Sequence, residues 1–145
     1  MMARSKFLRY FLFVTLIVII LDQLVKFLIF HFRPVWNLKI LTIEFITNTG
    51  AGFGILQGQT IWLAIISLLA AALVIFYYKE LPQEKFPQFL AGLFLGGIIG
   101  NLLDRLFRGY VIDFVNFHFF PVFNLADTAI SLAAIGLIYV FWKKK

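Results

Sequence analysis

Four long apolar runs divide this chain, and its polar residues gather where the runs end. The runs extend from about Phe7 to Phe32, Ile61 to Tyr78, about Phe86 to Leu103, and Leu125 to Trp142. Crossing about 30 Å of hydrocarbon takes about 20 helical residues at about 1.5 Å each. Each run is therefore predicted to be a membrane-spanning helix, with the third and fourth a little short for the full thickness. Residues 33–60 follow a different pattern. After Pro34, the apolar residues Trp36, Leu38 and Ile40 alternate with Asn37 and Lys39, and Ile43 and Phe45 then alternate with Thr42 and Glu44. The phase slips at Ile40-Leu41, as a β-bulge would make it do. The pattern predicts a small strand pair on the membrane surface, closed by the glycine-rich turn Asn48-Thr49-Gly50-Ala51-Gly52-Phe53-Gly54. The second long connection, 104–124, carries Tyr110, Phe114, Phe117, Phe119, Phe120 and Phe123, a composition suited to the lipid–water interface. The expected fold is an all-α membrane protein: one domain over 1–145, with four transmembrane helices, a small outer-face β element and interfacial loops.

Composition supports that reading. The chain is 62% hydrophobic and 14% charged, whereas soluble domains run at about 45–50% and about 25%. Cysteine is absent, which removes disulfides, thiol nucleophiles and cysteine-ligated metals together. The net charge of +6 could suggest nucleic acid, but the cations flank the apolar runs instead of forming a basic face. Arg4, Lys6, Arg9, Lys79, Lys85, Lys143, Lys144 and Lys145 fall on one side, with Arg33, Lys39, Arg105 and Arg108 on the other. By the positive-inside rule both termini are expected in the cytoplasm, and connections 33–60 and 104–124 outside. A basic start before Phe11–Leu21 resembles a secretory signal peptide. No small-x-small cleavage site follows it, so a retained helix is expected.

Candidate chemistry is confined to the outer boundary. The third run goes outward to Asp104 and the fourth returns inward from just before Asp127, which sets two carboxylates at similar depth on antiparallel helices. An ionisable residue at that depth is costly and marks a functional site by default. Two nearby carboxylates cannot both ionise cheaply, so one keeps a proton; such a pair can activate water and protonate a leaving amine. The plain alternatives are a helix cap at Asp127 and an ion pair between Asp104 and Arg105. Gly92, Gly96 and Gly100 form a small-residue ridge that would let a neighbouring helix approach closely. Asn101 shares a helix surface with Asp104 and Arg105. Asp22 and Lys26, four apart in the first run, read as a mutual ion pair, the alternative being to hold the outer loop or substrate backbone. Asp113 is expected to order its loop by hydrogen bonding. Ser5, Ser67 and Ser131 lack an activating partner, and His31 and His118 lack metal-ligand spacing. The turn at Asn48–Gly52 lacks the Lys-Ser/Thr of a phosphate loop.

Five blocks in order resemble the lipoprotein signal peptidases (signal peptidase II) over nearly the whole chain. They are Asp22 with Lys26, Asn48-Thr49-Gly50-Ala51-Gly52-Phe53, Gly96 to Arg105, Val111-Ile112-Asp113-Phe114, and Phe123-Asn124-Leu125-Ala126-Asp127. The resemblance implies an aspartic endopeptidase of the bacterial cytoplasmic membrane, active at its outer face. Its substrates would be prolipoproteins whose cysteine already carries diacylglyceryl, cut just before that cysteine. Carried over, Asp104 and Asp127 match the catalytic pair, and Asn48, Asn101, Arg105 and Asn124 match site-lining positions that hold substrate. Asp22, Lys26, Gly50 and Asp113 are supporting. No metal or cofactor is implied; the partners would be the lipid-modified precursor and membrane lipid, not nucleic acid. Two rivals remain: a small transporter, which predicts polar residues through the bilayer, and a structural adaptor, which would tolerate Asp104→Asn.

Overall fold

A computed structural model of the chain describes residues 2–52 and 55–143, leaving aside the side chains of residues 2–4. Phe53 and Gly54 of the glycine-rich turn, Lys144, Lys145 and the Arg4 side chain thus lie outside the described residues. Helix α1 spans Met2–Phe32, and strands β1 (Val35–Asn37) and β2 (Thr42–Asn48) follow. Helix α2 (Thr60–Phe76) runs into a 3₁₀ turn at Tyr77–Glu80. Helix α3 (Lys85–Arg108), strand β3 (Val111–Asn116) and helix α4 (Leu125–Trp142) complete the chain. Among the described residues, four helices are long and apolar enough to cross a membrane. Their outward faces are apolar, with Phe13, Leu16, Ile66, Leu69, Ile135 and Ile138 exposed, as lipid-facing positions should be.

Helix α3 is the central member, packing against α1, α2 and α4. About two thirds of its most apolar stretch is buried, against 17% for α2 and α4. Glycine makes that packing close. A Cβ at Gly96 would lie 2.7 Å from Val18 Cβ, and one at Gly100 2.6 Å from Asp22 Oδ2. The Gly92–Gly96–Gly100 ridge therefore faces α1. The approach of α3 to α4 depends instead on Gly97, whose added Cβ would meet Ala126 O at 2.5 Å. Helix α3 also runs further than its apolar stretch, carrying Asp104 and Arg105 inside the helix. Arg105 and Arg108 occupy the last turn, where cations complement the helix dipole, and Gly109 closes it at φ 78°.

The predicted hairpin is present, with β1 antiparallel to β2. The slip at Ile40-Leu41 falls in the loop joining them, where Leu38 N–H bonds Leu41 O and Lys39 adopts φ 70°. The register shift lies later, between Ile43 and Ile46. Strand β3 is an element that alternation did not predict. It pairs antiparallel with β2, setting Ile46 opposite Asp113, and makes β2 the centre of a three-stranded sheet. Val111–Phe114 are all buried, so the strand reads as a continuous apolar run rather than as a period of two.

Candidate active site

Two polar tiers meet where the sheet joins the bundle. The lower tier lies between α1 and α3. Lys26 Nζ stands 2.8 Å from Asp22 Oδ2, 3.0 Å from Asp104 Oδ2 and 2.9 Å from Asn101 Oδ1. Asp22, Lys26 and Asp104 have no exposed surface. Asp22 Oδ1 also accepts the Ala126 N–H at 2.9 Å, satisfying one of the orphan donors that open α4. The expected Asp22–Lys26 pair is present, and it joins three helices rather than one.

Asp104 is fully engaged in this tier. Its Oδ2 accepts from Lys26 and from the Ile112 N–H at 3.1 Å, while Oδ1 accepts from Gln23 Nε2 at 3.1 Å and from Arg108. Asp104 thus clamps β3 to the bundle. It does not line the cavity described next, contrary to the depth argument, because its side chain turns toward α1 and away from α4.

The upper tier borders a cavity of about 420 Å³. Asp113 and Asp127 both line it, with Asn48, Asn101 and Arg105 around them. Phe120 and Phe123 form one wall; Thr128, Ser131 and Leu132 extend the cavity along α4 into the span. A smaller chamber of about 220 Å³ shares Asn48 and Asp113 and reaches over β2 toward Gln57. Asp113 therefore stands between two spaces.

Hydrogen bonds fix both carboxylates. Asp113 Oδ2 accepts from Asn48 Nδ2 at 2.8 Å and Oδ1 from Asn124 Nδ2 at 2.7 Å. Asp127 Oδ1 accepts from Asn101 Nδ2 at 2.7 Å and Oδ2 from the Asn124 N–H at 3.2 Å. Asn124 Oδ1 in turn accepts the Asp127 N–H at 2.9 Å, so these two residues form the capping box of α4. The capping alternative for Asp127 is therefore real, and it leaves Oδ1 facing the site. Burial first, and the Asp127 charge second, push the Asp113 carboxyl up to about 6 against the two amide bonds and the Lys26 charge.

The asparagines expected to hold substrate spend their amide N–H groups on the carboxylates. Arg105 keeps more freedom, reaching Gly50 O at 3.4 Å. Gly50 itself is required, since its Cβ would lie 2.7 Å from Ile55 O. Sequence reasoning gave Asp113 only a supporting, loop-ordering role, and it did not single out Gln23, Arg108 or the wall residues Thr128 and Ser131 for the site. A usable signal existed for Asp113: one carboxylate inside the apolar run Val111–Val115. Among the described residues, no group of three or more His, Asp or Glu could hold a metal ion.

The family model for signal peptidase (SPase) II matches residues 14–143. The chain belongs to the signal peptidase II family. The lipoprotein signal peptidase of Halothermothrix orenii is 35% identical, covering 91% of this chain and 94% of that protein. That of Lactobacillus johnsonii is 41% identical, covering 90% and 88%. A solved bacterial membrane enzyme structure superposes with a TM-score of 0.85 at 27% identity, covering 92% of this chain and 87% of that one. As a signal peptidase II, the protein is a multi-pass membrane peptidase that removes signal peptides from prolipoproteins. Neither the transporter nor the adaptor reading is favoured.

Proposed function

We propose that this peptidase is of the aspartic type, and that its working carboxylates are Asp113 and Asp127 rather than Asp104 and Asp127. The observation that carries this reading is a charge balance. In the lower tier, Lys26 and Arg108 neutralise Asp22 and Asp104 with both carboxylates ionised. Among the described residues that line the cavity, Arg105 is the one cation facing Asp113 and Asp127. That tier is neutral when the two carboxylates share one proton, the state a carboxylate pair needs to serve as base and acid together.

The ionised member takes a proton from a bound water, whose oxygen attacks the scissile carbonyl carbon. The protonated member donates to the carbonyl oxygen. Collapse of the tetrahedral intermediate then breaks the C–N bond, and a proton passes to the leaving nitrogen. Arg105, with N–H donors toward the cavity, is suited to hold a substrate carbonyl. Closure of the cavity by substrate would exclude water and further favour the protonated form of Asp113.

The substrate is a prolipoprotein whose cysteine already bears diacylglyceryl, cut just before that cysteine. The cavity's apolar extension beside Leu132 suits a chain held at the membrane surface by its lipid. Lys6, Arg9, Lys79 and Lys85 lie at the opposite end of the bundle from the sheet, supporting cytoplasmic termini and an active site at the outer face of the bacterial cytoplasmic membrane. The experiment that tests this reading compares cleavage of a lipid-modified precursor by Asp113→Asn, Asp127→Asn and Asp104→Asn. Turnover by a folded Asp113→Asn or Asp127→Asn protein would remove the dyad.

A further inference from the structure

An asparagine side chain presents an oxygen at one end and an NH₂ at the other, so its neighbours decide which end faces which. Three asparagines direct N–H groups at the two cavity carboxylates, and each is oriented by a group that donates. Asn48 Oδ1 takes the Gly50 N–H at 2.9 Å, and Asn124 Oδ1 takes the Asp127 N–H at 2.9 Å. In both cases the orienting donor is a backbone amide of the same local turn. Asn101 differs, because a wholly buried side chain on another helix, Lys26, orients it from 2.9 Å.

An ammonium has three N–H donors and no acceptor. Lys26 has three partners to match: Asp22 Oδ2, Asp104 Oδ2 and Asn101 Oδ1. With that cation in place the Asn101 oxygen must face α1, which turns Nδ2 onto Asp127 Oδ1 at 2.7 Å. Without it, the remaining donor to the Asn101 oxygen is Asn124 Nδ2 at 3.1 Å, which also serves Asp113. The amide is then free to turn over and accept from a protonated Asp127, withdrawing its N–H from Oδ1.

We propose that Lys26 is a positioning residue for the peptidase reaction, acting through the Asn101 amide to hold an N–H on Asp127 Oδ1 and so to fix how Asp127 faces the cavity. The proposal rests on the reading of Asp113 and Asp127 as the working pair. A purely structural Lys26 would do no more than neutralise Asp22 and Asp104.

The test is steady-state cleavage of a lipid-modified precursor by the full chain in detergent. Lys26→Met is combined with Asp22→Asn, so that Arg108 still balances Asp104, and Asp22→Asn alone is the reference. The combination should lower kcat about ten- to hundredfold, the range set by a hydrogen bond to a charged group. KM should stay within about twofold, because the affected bond serves the reacting carboxylate and not substrate binding. Lys26→Gln with Asp22→Asn keeps an N–H donor and should recover part of kcat. In an Asn101→Leu background, the Lys26 change should lower kcat no further. Additive losses in that background, or a kcat that only tracks the folded fraction, would overturn the proposal. Failure of both Lys26 variants to fold would overturn it too, making Lys26 structural. Asp127→Asn in the same assay separates the two failures. Turnover by that variant removes the dyad itself, whereas its inactivity beside an unaffected Lys26 variant removes only the role of Lys26.

Discussion

Asn124 opens α4 and at the same time holds the carboxylate of Asp113, with Nδ2 at 2.7 Å from Asp113 Oδ1. One residue thus ties the start of a spanning helix to a strand of the surface sheet. Helix capping and site geometry are coupled at this point.

Asn124→Ala should therefore lose stability and activity together. The cap contributes about 1 kcal/mol, and loss of the amide bond frees Asp113 Oδ1, leaving Asn48 alone to hold Oδ2. Asn124→Asp keeps an oxygen to cap the helix but sets a second carboxylate against Asp113. One of the two must then hold a proton, so this variant too should unfold below the parent temperature and cleave far more slowly. Thermal unfolding in detergent beside a turnover assay checks both; activity losses without any loss of stability would contradict the coupling.

The raised Asp113 carboxyl predicts a sign for stability against pH. Between its ordinary value of 3.8 and about 6, the folded state holds the proton that the unfolded state has released. Its contribution is therefore fully present below about pH 4 and is lost as pH rises through about 6. The difference between 3.8 and about 6 corresponds to roughly 3 kcal/mol at most. Unfolding of the parent and of Asp113→Asn should be compared across this window. The parent should lose stability relative to the variant as pH rises; a relative gain would contradict the assignment.

Gly97 and Gly52 should respond oppositely to alanine. At Gly97 the new methyl meets the backbone oxygen of Ala126, which cannot turn aside, so overpacking should cost about 1–3 kcal/mol and displace Asp127. Among the described residues nothing lies within 4 Å of a Cβ added at Gly52, and the change should stay within about 0.5 kcal/mol. Unfolding midpoints of the two variants decide this. Equal effects would show that α3 and α4 do not depend on that contact.

These contrasts also show what was legible in the sequence. Run length alone gave four spans, since lipid imposes a length on any helix that crosses it; α4 begins and ends where its apolar run does. The β1–β2 hairpin was legible because Trp36, Ile43 and Phe45 alternate with polar residues. Strand β3 was not, because it is buried throughout and its partner lies far back in the chain. That omission had a consequence for the site. Without β3, Asp113 belonged to a loop, and depth together with the family resemblance paired Asp104 with Asp127. Depth gives a side chain's height in the membrane but not its direction around the helix, and Asp104 turns toward Lys26. The glycine ridge does make the close helix contact its spacing predicts, but spacing could not say that the partner is α1.

Cleavage of a lipid-modified precursor by folded Asp113→Asn, Asp127→Asn and Asp104→Asn, measured per folded molecule, decides between Asp113 and Asp104 as the partner of Asp127. Asp113→Asn and Asp127→Asn should insert and fold normally yet show no measurable turnover. Asp104→Asn should be less stable, since breaking a buried pair costs about 3–5 kcal/mol, while its folded fraction still cleaves. A folded but inactive Asp104→Asn protein beside an active Asp113→Asn protein would contradict the account and return the catalytic role to Asp104.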